Sequence, residues 1–83
     1  RVMERLPQRL VNVRVRDLAE LDGASEVWAA VGEETRRLDG LGRVLVRPSG
    51  TEPLVRVMAE APTQAEVDAA CDRIVAVVER HLT

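Results

Sequence analysis

Eighty-three residues, 46% hydrophobic and 31% charged, with a net charge of −2, predict one small globular domain with a modest core. The mild acidity and a lone aromatic residue, Trp28, argue against a nucleic-acid binder, which needs a basic field and stacking platforms. No apolar run has the length of a membrane span and no segment resembles a signal peptide, so a cytoplasmic protein is expected.

Leu10 to Arg16 alternates strictly, with Val11, Val13 and Val15 on one face and Asn12, Arg14 and Arg16 on the other, the pattern of a half-buried strand. Asp17 to Ala24, with its Asp22-Gly23 pair, reads as a polar connection. Ser25 is placed to cap a helix with Glu26 in its first turn, and Val27, Trp28, Val31, Thr35 and Leu38 follow at helical spacing. Arg36 and Arg37 suit its C-terminal end and Gly40 its stop, while Gly32 weakens it by about 1 kcal/mol relative to Ala.

Arg43 to Arg47 predicts a second strand, Val44 and Val46 opposing Arg43, Leu45 and Arg47. Leu54 to Ala61 predicts a third, with Val55, Val57 and Ala59 opposing Leu54, Arg56, Met58 and Glu60. The short connection between them argues for an antiparallel pair. Thr63-Gln64-Ala65-Glu66 is a capping box. It opens a long helix whose stripe is Val67, Ala70, Cys71, Ile74, Val75, Val78 and Leu82.

The order β-α-β-β-α predicts an α+β fold of two layers, a small and mainly antiparallel sheet covered on one face by two helices. The other face then carries Arg14, Arg16, Arg43, Arg47 and Arg56. A solvated surface explains Arg14, Arg16 and Arg43. Arg47 and Arg56 differ, because they flank one loop and are placed to converge on a single anion.

That loop, Arg47-Pro48-Ser49-Gly50-Thr51-Glu52-Pro53, holds the densest chemistry in the chain. Arg47 offers a planar fork of donors and Ser49 and Thr51 add hydroxyls. Gly50 allows the backbone N–H groups to turn inward as an anion-binding nest. Pro, Ser, Gly and Thr are also ordinary turn residues, so residue chemistry alone leaves an anion site and a plain turn level. Glu52, the loop's one carboxylate, suits either a substrate hydroxyl or amine, or the orienting of Arg47.

Little else carries chemistry. His81 lies in the last helical turn, where the helix dipole favours a surface role. No His, Cys and Asp cluster has metal-ligand spacing, and Ser49 has no base nearby in sequence. Trp28 and Met58 read as core or interface residues. Cys71, the only cysteine, falls on the apolar stripe and is expected as a buried, reduced thiol. All twelve basic residues are Arg; genomic base composition accounts for that, although an Arg fork suits phosphate better than a Lys. The chain opens on Arg1 rather than a methionine, which suggests a piece of something longer.

Gly42 to Met58, reading GRVLVRPSGTEPLVRVM, resembles the signature of the C-terminal domain of the α-D-phosphohexomutases. Leu10 to Val15 is similar to that domain's first strand, and the final helix fits in position and length, so the likeness spans essentially the whole chain. Within the family it is strongest to bacterial members that interconvert glucosamine 6-phosphate and glucosamine 1-phosphate, on the route to cell-wall amino sugars. The resemblance implies a four-domain enzyme with a phosphoserine in the first domain, Mg²⁺-binding aspartates in the second and a sugar-reading loop in the third. None of these falls in this chain. The fourth domain's phosphate-binding loop maps onto Arg47, Ser49, Gly50 and Thr51, and the strand argument adds Arg56.

The partners so implied are a phosphosugar substrate and the other domains of the same chain, with neither nucleic acid nor membrane. The 83 residues are expected to hold no catalytic residue and no metal ligand, and to be inactive alone. Family members acting on mannose or glucose phosphates carry the same domain. A stand-alone binding module using the Arg-bearing sheet face is the alternative from another class.

Overall fold

Strands form where valines recur at every second position, and those valines decide which way the sheet faces. The computed structural model describes residues 6–83. They form β1 (Gln8–Arg14), a 3-10 turn (Leu18–Leu21), α1 (Ser25–Leu38), β2 (Arg43–Pro48), β3 (Leu54–Glu60) and α2 (Gln64–Leu82). The sheet is antiparallel throughout, in the order β1-β3-β2. The fold is thus the expected two-layer α+β arrangement, with β3 in the centre. Val13, Val44, Val46, Val55, Val57 and Ala59 are buried on one face, where α2 crosses β1 and β3, and α1 lies against β2.

Several boundaries differ from the expectation, each for a physical reason. β1 begins two residues early and ends at Arg14. Val15 still donates to the Pro53 carbonyl at 2.8 Å, but the Arg16 N–H turns to the Leu82 carbonyl at 2.9 Å and carries the chain out of the sheet. The polar connection contains the 3-10 turn, capped by Asp17, whose side chain accepts from the Ala19 N–H at 3.0 Å. Ser25 is the first helical residue rather than the cap. Ala24 takes the cap position with no side-chain bond, and the Ser25 hydroxyl donates to Glu26 instead. At the far end Asp39 adopts the left-handed conformation (φ 50°), Gly40 follows at φ 79°, and both of Asp39's helix-closing bonds run to Arg36 and Thr35 carbonyls, as in an αL cap.

The buried phase of α1 is Val27, Glu34 and Leu38, with Val31 half-buried and Thr35 exposed. A carboxylate occupies the position expected for an apolar side chain. Glu34 is only 3% exposed and accepts two bonds from Arg73 on α2, at 2.7 and 2.8 Å. Arg37 approaches it at 3.5 Å. The bidentate fork satisfies both oxygens, which is how a charge is tolerated at a helix–helix seam.

α2 follows its stripe: Val67, Ala70, Cys71, Ile74, Val78 and Leu82 are buried, and the Thr63 hydroxyl caps the Glu66 N–H at 3.2 Å. Burial pushes the Cys71 thiol pKa up, partly opposed by Arg9, so it stays protonated at neutral pH. Trp28 is 39% exposed; its indole N–H donates to the Leu21 carbonyl at 2.9 Å and ties the 3-10 turn to α1. Met58 is half-buried and lies on the sheet face opposite the valines, so neither residue belongs to the core. Before β2, a Cβ on Gly42 would clash with the Glu60 carbonyl oxygen. Only glycine lets the two chains approach that closely.

Candidate anion-binding site

β-pairing places the site residues before any ligand does. Arg47 on β2 and Arg56 on β3 are direct cross-strand partners, both exposed on the face away from the helices. Like charges in that relation repel. No carboxylate pairs with either one among the described residues. The pair is therefore arranged so that an added anion lowers its electrostatic energy.

The Ser49–Pro53 segment joins these strands. It is closed by the Ser49 N–H donating to the Leu54 carbonyl at 2.9 Å and by the Leu54 N–H donating to the Glu52 carbonyl at 2.7 Å, a tight turn about Pro53. Val15 holds the Pro53 carbonyl from the β1 side, so the loop exit is anchored to two strands. Among the described residues the N–H groups of Gly50, Thr51 and Glu52 have no acceptor, and the Ser49 and Thr51 hydroxyls have no partner. Three backbone donors and two hydroxyls thus stand free beside two guanidinium groups. Gly50 is the one local signal for those free amides.

One expectation needs correction. No residue from Arg47 to Pro53 has a positive φ, so the alternating backbone of a nest is not formed, and Gly50 does not serve through left-handed freedom. The space its Cβ would fill is open, which leaves the amide accessible at close range. Glu52 makes no ion pair with Arg47 among the described residues. The remaining arginines separate as well. Arg43 pairs with Glu60 at 3.2 Å, and Arg16 leaves the sheet face to pair with Glu20 at 3.0 Å and reach the His81 carbonyl.

A groove of about 650 Å³ is lined by Glu26, Glu33, Arg37, Arg73, Arg80 and neighbours between α1 and α2. It lies on the helical layer, remote from the loop. The candidate site lies instead at the loop end of the sheet, on the face away from the helices. His81 borders the groove. Among the described residues no group of three or more His, Cys, Asp and Glu side chains is placed to hold a metal ion, and no helix is long and apolar enough to cross a membrane.

Residues 10–77 match the family model described as phosphoglucomutase/phosphomannomutase, C-terminal domain. The chain belongs to this family. It is 52% identical over 81 residues to a phosphoglucosamine mutase of Brevibacillus brevis, covering 98% of this chain and 18% of that protein. A phosphoglucosamine mutase of Bacillus subtilis is 50% identical over 80 residues, with 96% and 18% covered. Among solved structures, an Aspergillus fumigatus N-acetylphosphoglucosamine mutase variant in complex with glucose 1,6-bisphosphate superposes with a TM-score of 0.82 at 32% identity, over 94% of this chain and 16% of that one. The same fungal enzyme with GlcNAc-6P and magnesium gives 0.69 at 28% identity, over the same shares. The chain thus spans under a fifth of the length of the relatives it matches.

Proposed function

We propose that the chain is the phosphate-gripping domain of a phosphoglucosamine mutase, an isomerase that interconverts glucosamine 6-phosphate and glucosamine 1-phosphate through a bisphosphorylated intermediate. The observation that carries this reading is the cross-strand pair Arg47 and Arg56, without carboxylate partners among the described residues, beside the free donors of the loop. In it the Arg47 fork takes two phosphate oxygens and Arg56 a third, the Ser49 and Thr51 hydroxyls donate, and the bare Gly50 backbone lets the phosphate reach the amides. Glu52, unpaired with Arg47, is assigned to a sugar hydroxyl or ammonium.

A clamp that recognises only phosphate geometry suits this reaction. The substrate, the bisphosphate and the product each present a phosphate at one end or the other, and one clamp serves all three. The phosphoserine and the magnesium are assigned to other domains of the parent enzyme. In this reading the 83 residues form a single domain of a cytoplasmic enzyme supplying cell-wall amino sugars, inactive alone and contacting the remaining domains of its own chain. The same domain in a phosphomannomutase or phosphoglucomutase is the second reading, favoured by the family description; the named relatives favour the glucosamine substrate.

The test is a two-dimensional amide NMR titration with inorganic phosphate and with glucosamine 6-phosphate, repeated on Arg47→Ala. Shifts confined to residues 47–56, present for both ligands and lost in the variant, are expected. An unresponsive loop at tens of millimolar phosphate sinks the reading.

A further inference from the structure

The open sheet face is a grid whose rows follow from the strand register. Nearest the loop lies Arg14 beside Leu54. Asn12, Arg56 and Arg47 form the next row, then Leu10, Met58 and Leu45, then Gln8, Glu60 and Arg43. Sequence alone made Arg14, Arg16 and Arg43 equivalent, and the structure separates them. Arg43 has Glu60 and Arg16 has Glu20, whereas Arg14 has no carboxylate partner among the described residues.

Two features tie Arg14 to the anion site. It stands diagonal to Arg56 across the β1–β3 pair, a relation of about 7–8 Å that long side chains bridge. The next residue, Val15, bonds the Pro53 carbonyl at 2.8 Å, so the Arg14 backbone is fixed to the loop exit. Asn12, directly across from Arg56, adds an amide able to donate on the same side.

We propose that Arg14 is a third guanidinium of this site, with Asn12 beside it, so that a phosphate monoester dianion is held from the β1 side as well as by the loop. The inference rests on the phosphate-clamp reading and extends its binding wall to a strand that reading leaves out.

The experiment is the same inorganic phosphate titration of the 83-residue chain, at constant ionic strength, on Arg14→Ala, Arg14→Lys, Arg43→Ala and Arg47→Ala. Unchanged α2 amide resonances report that each variant is folded. Arg14→Ala is expected to weaken phosphate about fivefold, the scale of one exposed charge pair. Arg14→Lys should recover most of that loss and Arg43→Ala should stay within about twofold of the parent. Arg14→Ala within twofold of the parent while Arg47→Ala abolishes the response would overturn the role of Arg14 and leave the clamp standing. No response in the unsubstituted chain overturns both.

Discussion

In the helical layer that covers one face of the sheet, the one buried charge among the described residues, Glu34, is matched by Arg73 and Arg37. The open face carries Arg14, Arg47 and Arg56 with no carboxylate partner among the described residues. The valines packed under the helices and the arginines of the open face come from the same three strands, because successive side chains point to opposite sides. One side has its polar groups satisfied and its apolar groups packed, the condition for stability. The other leaves guanidinium groups, amides and hydroxyls unpaired in one place, the condition for binding an anion. Substitutions on the two faces should therefore separate folding from binding.

The largest effect is expected in the core. Ile74 is fully buried at the centre of α2, and Ile74→Ala should cost about 2–5 kcal/mol through lost transfer energy and a residual cavity. In a domain this small each kcal/mol lowers Tm by roughly 4–8 °C, so thermal unfolding reads it directly. Phosphate should still shift loop amides in the molecules that remain folded. An Ile74→Ala chain that kept its Tm and lost the phosphate response would break the separation of faces.

Arg73→Ala comes next. It strips the bidentate partner from a buried carboxylate and leaves Arg37 at 3.5 Å. Losing one partner of a buried pair costs about 3–5 kcal/mol, and because Arg73 itself is half-exposed about 1–3 kcal/mol is expected here. Arg73→Ala with Glu34→Leu should recover part of the loss, since an apolar seam needs no counter-ion. Chemical denaturation of the single and double variants checks both values, and equal stability of Arg73→Ala and the parent chain would show the pair to be idle.

How far the sequence revealed these faces depends on the range of the interaction. The α2 stripe from Val67 to Leu82 and the valine alternation of β2 and β3 are local patterns, and they placed those elements to within a residue or so. Antiparallel pairing of β2 and β3 followed from a short connection. The burial of Glu34 did not, because its partner Arg73 lies 39 residues away. Its place seven residues after Val27 and four before Leu38 was the available signal, since that puts it on the buried stripe. Ser25 has the chemistry of a cap yet is the first helical residue, because Ala24 begins the helix without a side-chain bond. In the candidate site, Arg47, Ser49, Gly50 and Thr51 were legible as a dense polar loop. The facing of Arg47 by Arg56 required the register, and the distinction of Arg14 from Arg43 required knowing which of them meets Glu60.

The smallest expected change has the most informative sign. Arg47→Ala removes an exposed side chain with no ion pair among the described residues and relieves its repulsion with Arg56, while burying nothing. Like charges directly opposite in a sheet cost a few tenths of a kcal/mol, so the variant should unfold at the same denaturant concentration as the parent or gain up to about 0.5 kcal/mol. Added phosphate should reverse that order, since an anion that binds only the native parent stabilises it in proportion to the logarithm of saturation. Denaturation curves with and without about 50 mM phosphate, matched for ionic strength, compare the two chains directly. A loss of stability in phosphate-free buffer would mean that Arg47 supports the fold, and the division between a structural and a binding face would then fail at the residue where it should be sharpest.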